Sequence, residues 1–322
     1  MAECVGKRFP FIGRSFDSLE SRLRPMLRTV GLAKGFAGRS VLRGVDLEVA
    51  SGEVFGFIGP NGAGKSTFLK CLVGVVRPDA GEAEVAGVDA IRRPLEVRRR
   101  VGYAPGETAL YHRMRAGEHL NFAVSFHPDG DRRRGRALLA ELGVPAGRRV
   151  GRLSHGMKRK LLIAQALACR APVLLLDEPL AGLDPEARRT VVGLLRREAE
   201  AGTTVFLSSH DLAGAERLCD RVAFLRAGRI LAAGPVAELL AGAERTLIVE
   251  LRVDLPRHRL PRRPGWEWIG AGRRWRLRYP GPLERVLPGL AELPLAALRP
   301  LGAGLEELFE DLYGPEDRKE QA

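Results

Sequence analysis

From Leu42 to Val49 apolar and polar residues alternate, and the run ends at Ser51-Gly52, which predicts a half-buried strand followed by a turn. Glu53 to Ile58 is a short apolar strand that runs into a glycine-rich loop, and Lys65 to Val76 has helical character up to Pro78. Helical spacing returns over Arg115 to Phe126, over Arg132 to Leu142 with Gly143 as its stop, and over Leu153 to Arg170. Val173 to Leu176 and Thr203 to Ser208 read as buried strands enclosing a helix, Pro185 to Ala201, stopped by Gly202. This alternation of strand and helix predicts a mainly parallel α/β sheet.

The pattern changes near Gly242. Thr246 to Val253 alternates, Arg274 to Tyr279 sets Trp275, Leu277 and Tyr279 against three arginines, and Leu305, Leu308, Phe309 and Leu312 share one helical face. A Pro/Arg/Gly-rich stretch, Pro256 to Gly272, separates the first two segments. Residues 244–322 are therefore expected to form a small α+β accessory domain. Residues 1–26 have no clear periodicity and precede a well-patterned segment. They are expected to be a disordered arm or a start assigned ahead of Met26, with a membrane-surface helix as the alternative.

Composition changes this picture little. Of 322 residues, 45% are apolar and 28% charged, an ordinary mix for a chain that buries a core. No run approaches the roughly 18 consecutive apolar residues of a membrane span. The four cysteines (Cys4, Cys71, Cys169, Cys219) are scattered, as free thiols in a reducing cytosol are. The net charge of +13 is almost all arginine, and with abundant Ala, Gly and Pro it reads as solvated surface charge in a GC-rich coding background.

The chemistry is concentrated in two segments. Gly59-Pro60-Asn61-Gly62-Ala63-Gly64-Lys65-Ser66-Thr67 has the form of a phosphate-binding loop. Its glycines let backbone N–H groups converge on phosphate oxygens, and the following helix adds the positive end of its dipole. Lys65 can reach the β- and γ-phosphates, and the Ser66 hydroxyl is placed for Mg²⁺. The second segment, Val173 to Pro179, is an apolar strand ending in Asp177-Glu178. A carboxylate at the end of a buried strand is costly without a partner, and Mg²⁺ beside the loop would be one. Glu178 could then polarise the attacking water.

With these motifs the sequence resembles the ATP-binding cassette (ABC) ATPases. Leu153-Ser154-His155-Gly156-Met157 is similar to that family's signature, Ala181-Gly182-Leu183-Asp184 to its D-loop, and Ser208-Ser209-His210-Asp211 to the segment of its switch histidine. Phe36, just before the first strand, matches the aromatic that stacks on adenine. The resemblance runs from about Leu27 to Leu240. It implies a P-loop NTPase of ABC type over residues 27–243, with an inserted helical subdomain over about 107–170. The Leu305-Glu306-Glu307-Leu308-Phe309 ending and the Pro105-Gly106-Glu107 segment resemble ATPases of drug and antibiotic exporters.

The resemblance further implies a composite site in which two cassettes sandwich ATP. One supplies Lys65, Asp177, Glu178 and His210; the other supplies Ser154 and Gly156, with Asp184 in the D-loop between them. It implies Mg²⁺ as cofactor, a separately encoded membrane permease that contacts the segment Glu107 to Phe126, and a second cassette in a homodimer or heterodimer. The location implied is the cytoplasmic face of the membrane.

Three positions depart from the family pattern. Gly106 stands where the family has a glutamine that touches Mg²⁺ and the attacking water, and senses the membrane partner. Glu107 either takes over as an oxygen ligand or is a solvated loop acid. In the signature, His155 replaces a glycine and Met157 a glutamine, while Ser154 and Gly156 remain. With Glu178 and His210 both present, hydrolysis is expected rather than nucleotide binding alone.

A soluble ABC ATPase acting on the ribosome or on nucleic acid is the alternative. It is disfavoured because only 88 positions separate Lys65 from Leu153, with no long coiled coil or paired cysteines, and because one cassette is present. Trp266, Trp268 and Trp275 among arginines have the composition of a base-stacking surface. Their more ordinary role is to fill a small sheet.

Overall fold

The computed structural model describes residues 25–107, 110–242, 245–279, 281, 283–301 and 304–313. The expected N-terminal arm lies outside these, apart from Pro25 and Met26. The chain divides into two compact units, one ending at Val236 and the other beginning at Ala237.

The first unit opens with β1 (Leu27–Phe36), β2 (Arg39–Val49), β3 (Val54–Ile58) and α1 (Lys65–Leu72). It continues through β4 (Ala80–Val85), β5 (Val88–Asp89), α2 (Pro94–Arg99) and β6 (Val101–Ala104). Three helices follow, α3 (Ala116–Val124), α4 (Arg132–Glu141) and α5 (His155–Ala168). The rest alternates: β7 (Val173–Asp177), α6 (Pro185–Glu200), β8 (Thr204–Ser209), α7 (Leu212–Leu218), β9 (Arg221–Arg226) and β10 (Arg229–Pro235). α8 (Val236–Gly242) carries the boundary between the units.

The larger sheet has the order β10-β9-β3-β8-β7-β6, parallel throughout except for β10. Every residue of β3, β7 and β8 is buried, which is why these strands read as continuous apolar runs rather than as alternations. Phe57 on β3, Phe68 on α1 and Phe206 on β8 meet with ring centroids 4.7, 5.6 and 5.9 Å apart, and Phe55 stacks on Phe206 at 5.7 Å. This cluster clamps the strand before the glycine-rich loop to the helix after it.

The smaller sheet is antiparallel, in the order β2-β1-β4-β5. Phe36 is the last residue of β1, so the first strand precedes β2, where the sequence reading had begun its strands. β1 escapes an alternation search because register shifts interrupt its pairing between Thr29 and Leu32 and again at Lys34/Gly35. α1 ends at Leu72 rather than near Val76, because Gly74 turns the chain with φ +65°. The side chains of Asp131, Ser154, Asp184 and Asp211 cap α4, α5, α6 and α7.

The second unit contains β11 (Arg245–Leu251), β12 (Glu267–Ala271), β13 (Arg274–Tyr279), α9 (Leu287–Leu290), β14 (Leu295–Leu301) and α10 (Leu305–Tyr313). Its four strands form an antiparallel sheet ordered β12-β13-β11-β14. β12 falls in the Pro/Arg/Gly-rich stretch, where no strand was expected. Trp268, Trp275, Leu277 and Tyr279 form its core with Leu247, Val249 and Leu290. The indoles of Trp268 and Trp275 donate to Pro261 O at 2.8 Å and Gly272 O at 3.0 Å. Buried and hydrogen-bonded, these two rings have no face left for a nucleic-acid base.

Candidate functional site

In parallel α/β sheets, ligands bind beyond the carboxyl ends of the strands. Here β3, β8 and β7 are neighbours, with Ile58 opposite Ser209 and Asp177 opposite Ser208. That register brings the glycine-rich loop, the Asp177-Glu178 pair and His210 to one edge.

The loop closes on its own lysine. Lys65 is 6% exposed, and its Nζ donates to Gly59 O at 2.6 Å and Pro60 O at 3.1 Å. The same ammonium lies 3.2 Å from Glu178 Oε1, an ion pair without hydrogen-bond alignment. Gly64 precedes α1 at φ +111°, and a Cβ there would meet Val41 O at 3.0 Å. A side chain is therefore excluded by both the backbone conformation and the neighbouring strand. No side chain caps α1, so its first N–H groups remain open to an anion. Pro60, Asn61, Gly62, Gly64, Lys65, Ser66, Thr67 and Glu178 line a cavity of about 430 Å³ whose remaining wall comes from Arg39, Ser40, Val41, Arg43 and Ala227. Gly59 and Ala63 support the loop from beneath, where a Cβ on Gly59 would come within 2.3 Å of Leu225 O.

Glu178 adopts φ +51°, a left-handed conformation that a non-glycine residue holds only when its surroundings require it. Two contacts do so. Its N–H donates to Ser208 Oγ at 3.0 Å, and His210 Nδ1 lies 2.9 Å from its Oε2. A carboxylate can only accept, so His210 carries its proton on Nδ1 in this contact.

Asp177 is 2% exposed and has no cation paired with it among the described residues. Its Oδ1 accepts from Ser208 Oγ at 2.6 Å and its Oδ2 from the Gly106 N–H at 3.3 Å. A buried carboxylate with two neutral donors fits a site made for a cation. Ser66, the second residue of α1, lines the phosphate cavity. No group of three or more His, Cys, Asp or Glu gathers as a metal cage among the described residues. A magnesium ion here would take its other ligands from phosphate and water.

Other candidate residues lie elsewhere. Glu107 is 81% exposed and pairs with Lys70 at 3.2 Å, so this structure shows it as a loop acid and does not bring it to Asp177. Phe36 is 48% exposed, outside the cavity wall, with Lys34 Nζ 5.2 Å from its ring. Ser154 caps α5 through a 3.2 Å bond from Met157 N, and Gly156 packs beneath Gly182 O; neither lines this chain's own phosphate cavity. Asp184 caps α6, and the Ala187 N–H holds its carboxyl below the usual range.

Ser208 is the residue whose role the sequence did not show by itself. Its single hydroxyl donates to the Asp177 carboxylate and accepts from the Glu178 backbone. Ser208→Ala leaves a buried carboxylate oxygen and an N–H unpaired, at about 1–3 kcal/mol. Turnover is expected to fall about tenfold with nearly unchanged ATP affinity, in steady-state phosphate release and nucleotide titration.

The ABC transporter family model matches residues 42–181. A daunorubicin resistance ATP-binding protein of Streptomyces coeruleorubidus is 40% identical over 226 residues, covering 68% of this chain and 72% of that protein. A Nod factor export ATP-binding protein I of Ralstonia nicotianae is 34% identical over 306 residues, covering 91% of this chain and 95% of its own length. Among solved structures, a bacterial ABC transporter cassette determined as a dimer matches with a TM-score of 0.61 at 25% identity, over 65% of this chain and 98% of that one.

Proposed function

This chain belongs to the ABC transporter family, and from that premise we propose that it is the ATP-hydrolysing subunit of an exporter whose channel is a separate permease. The grouping of Lys65, Asp177, Glu178 and His210 above one phosphate loop carries this reading. Exporter and resistance relatives support the direction of transport. They lend nothing to the ribosomal or nucleic-acid alternative.

In the reading we favour, ATP phosphates take the N–H groups of Gly62 to Thr67 and draw Lys65 away from Glu178. Glu178, relieved of its cation and oriented by His210 and Ser208, then orders the water and accepts its proton. Asp177 and Ser66 would hold Mg²⁺, which supplies charge neutralisation on the phosphates when bound. Phe36 is the proposed adenine contact. Ser154 and Gly156 would complete the site of a second cassette, identical or related, with Asp184 beside them.

A surface groove supports the permease part of this reading. A groove of about 710 Å³ is lined by Leu95, Tyr103, Tyr111, Phe122, Phe126 and others. Tyr111, Phe122 and Phe126 form an edge-to-face ladder, with centroids 5.7 and 5.0 Å apart, and all three rings are exposed. No helix among the described residues is long and apolar enough to cross a membrane. We place the assembly at the cytoplasmic face of the membrane.

The test is purification of tagged Glu178→Gln chain from detergent-solubilised membranes with Mg·ATP. Near-stoichiometric recovery of a polytopic membrane protein supports the proposal; recovery of ribosomes or nucleic acid with no such protein overturns it. Phe126→Arg in the same background is expected to reduce that recovery at least tenfold while leaving ATP binding unchanged, because a buried unpaired charge costs several kcal/mol.

A further inference from the structure

Arg159 lies on α5, one turn beyond the Ser154 and Gly156 segment, and is 3% exposed. Among the described residues its guanidinium has no carboxylate within ion-pair distance. It donates instead to three backbone carbonyls: from Nη1 to Pro105 O at 2.8 Å and Asp177 O at 3.2 Å, and from Nη2 to Gly106 O. Pro105 and Gly106 follow β6, and Asp177 ends β7. One side chain thus ties three elements together, and only a planar, multiply donating group has that reach. Burial lowers its pKa, while the Asp177 and Glu178 carboxylates oppose that shift.

Gly106 is held through both of its backbone polar atoms. Its carbonyl accepts from Arg159, and its N–H donates to Asp177 Oδ2 at 3.3 Å. A Cβ on residue 106 would stand 2.7 Å from that same carboxylate oxygen. The glycine is what allows the loop to close on Asp177, and it leaves no side chain to work at the site.

We propose that Arg159 is a positioning residue that couples the helix bearing Ser154 and Gly156 to the Asp177 carboxylate through the Gly106 backbone. In this chain a buried guanidinium and a bare backbone make the link at the loop position where the family resemblance places a glutamine side chain. Movement of α5 or of the loop is thereby transmitted to the carboxylates. This rests on the ATPase reading above.

Arg159→Lys keeps the charge but cannot span three carbonyls. Gly106→Ala presses on the same contact from its other side. In the full chain with its copurified membrane partner, each is expected to lower kcat about 10- to 100-fold, the scale of an ångström-sized misplacement, with KM for ATP within about twofold. The double variant should be no slower than the slower single variant, because both act through one contact. Without nucleotide, the Gly106 amide in Arg159→Lys should exchange its hydrogen about tenfold faster, since the peptide loses its clamp. Unchanged kcat in both single variants, multiplicative effects in the double, or unchanged exchange would overturn the proposal. If the unmodified assembly hydrolyses ATP and Glu178→Gln stops it, any such failure belongs to Arg159 alone. Absence of hydrolysis in the unmodified assembly would remove both the reading and the inference built on it.

Discussion

Glu178→Gln should lower ATP turnover by about 10²–10⁴-fold, the typical contribution of a positioned general base. The amide keeps the shape of the side chain and an oxygen for His210 Nδ1, which lies 2.9 Å from Oε2 in the native chain. It cannot accept a proton from water. It also removes the charge that holds Lys65 at 3.2 Å, so ATP no longer has to draw the ammonium off a carboxylate. Nucleotide affinity should therefore stay equal or tighten while hydrolysis fails. Phosphate release under steady state, paired with nucleotide titration, separates these effects. A loss of turnover below tenfold would place the base on another residue.

Phe206→Ala should destabilise the first unit by about 3–5 kcal/mol, as for other buried aromatic truncations. Its ring touches Phe55, Phe57 and Phe68 at once, so the cavity would open between β3, β8 and α1. Against a total stability of about 5–15 kcal/mol, that is a large fraction. The three tryptophans make the measurement specific, because all lie at 266–275 in the second unit. Far-UV circular dichroism should show the lowered urea midpoint of the first unit. Indole fluorescence should report a nearly unchanged transition of the second, whose core is its own. Equal shifts in both signals would mean that the units unfold together.

The parts of this architecture visible in the sequence were those whose chemistry is local. A fully buried strand such as Val173–Asp177 shows itself as a run of apolar residues, and the glycines around Lys65 stand together because one loop needs them. β1 was not visible, since its bulges break the two-residue period, and neither was β4, where only Ala83 and Val85 are fully buried. β12 was hidden by a compositionally loop-like setting. At the site, Lys65, Asp177 and Glu178 announced themselves by motif. Ser208 and Arg159 act across 31 and 18 positions on Asp177, and no spacing rule reaches a contact made by sheet register or by helix docking. Glu107 was left open between metal ligand and loop acid, and here its carboxylate pairs with Lys70.

The self-contained core of the second unit has a genetic consequence. Strands β1 to β10, with the residues lining the phosphate cavity, are complete by Pro235, and among the described residues β11 to β14 pair only with one another. A recombination breakpoint near that position would separate no hydrogen-bonded strands. A gene fusion joined there would keep the strand pairs of both sheets around the phosphate cavity on one side of the joint.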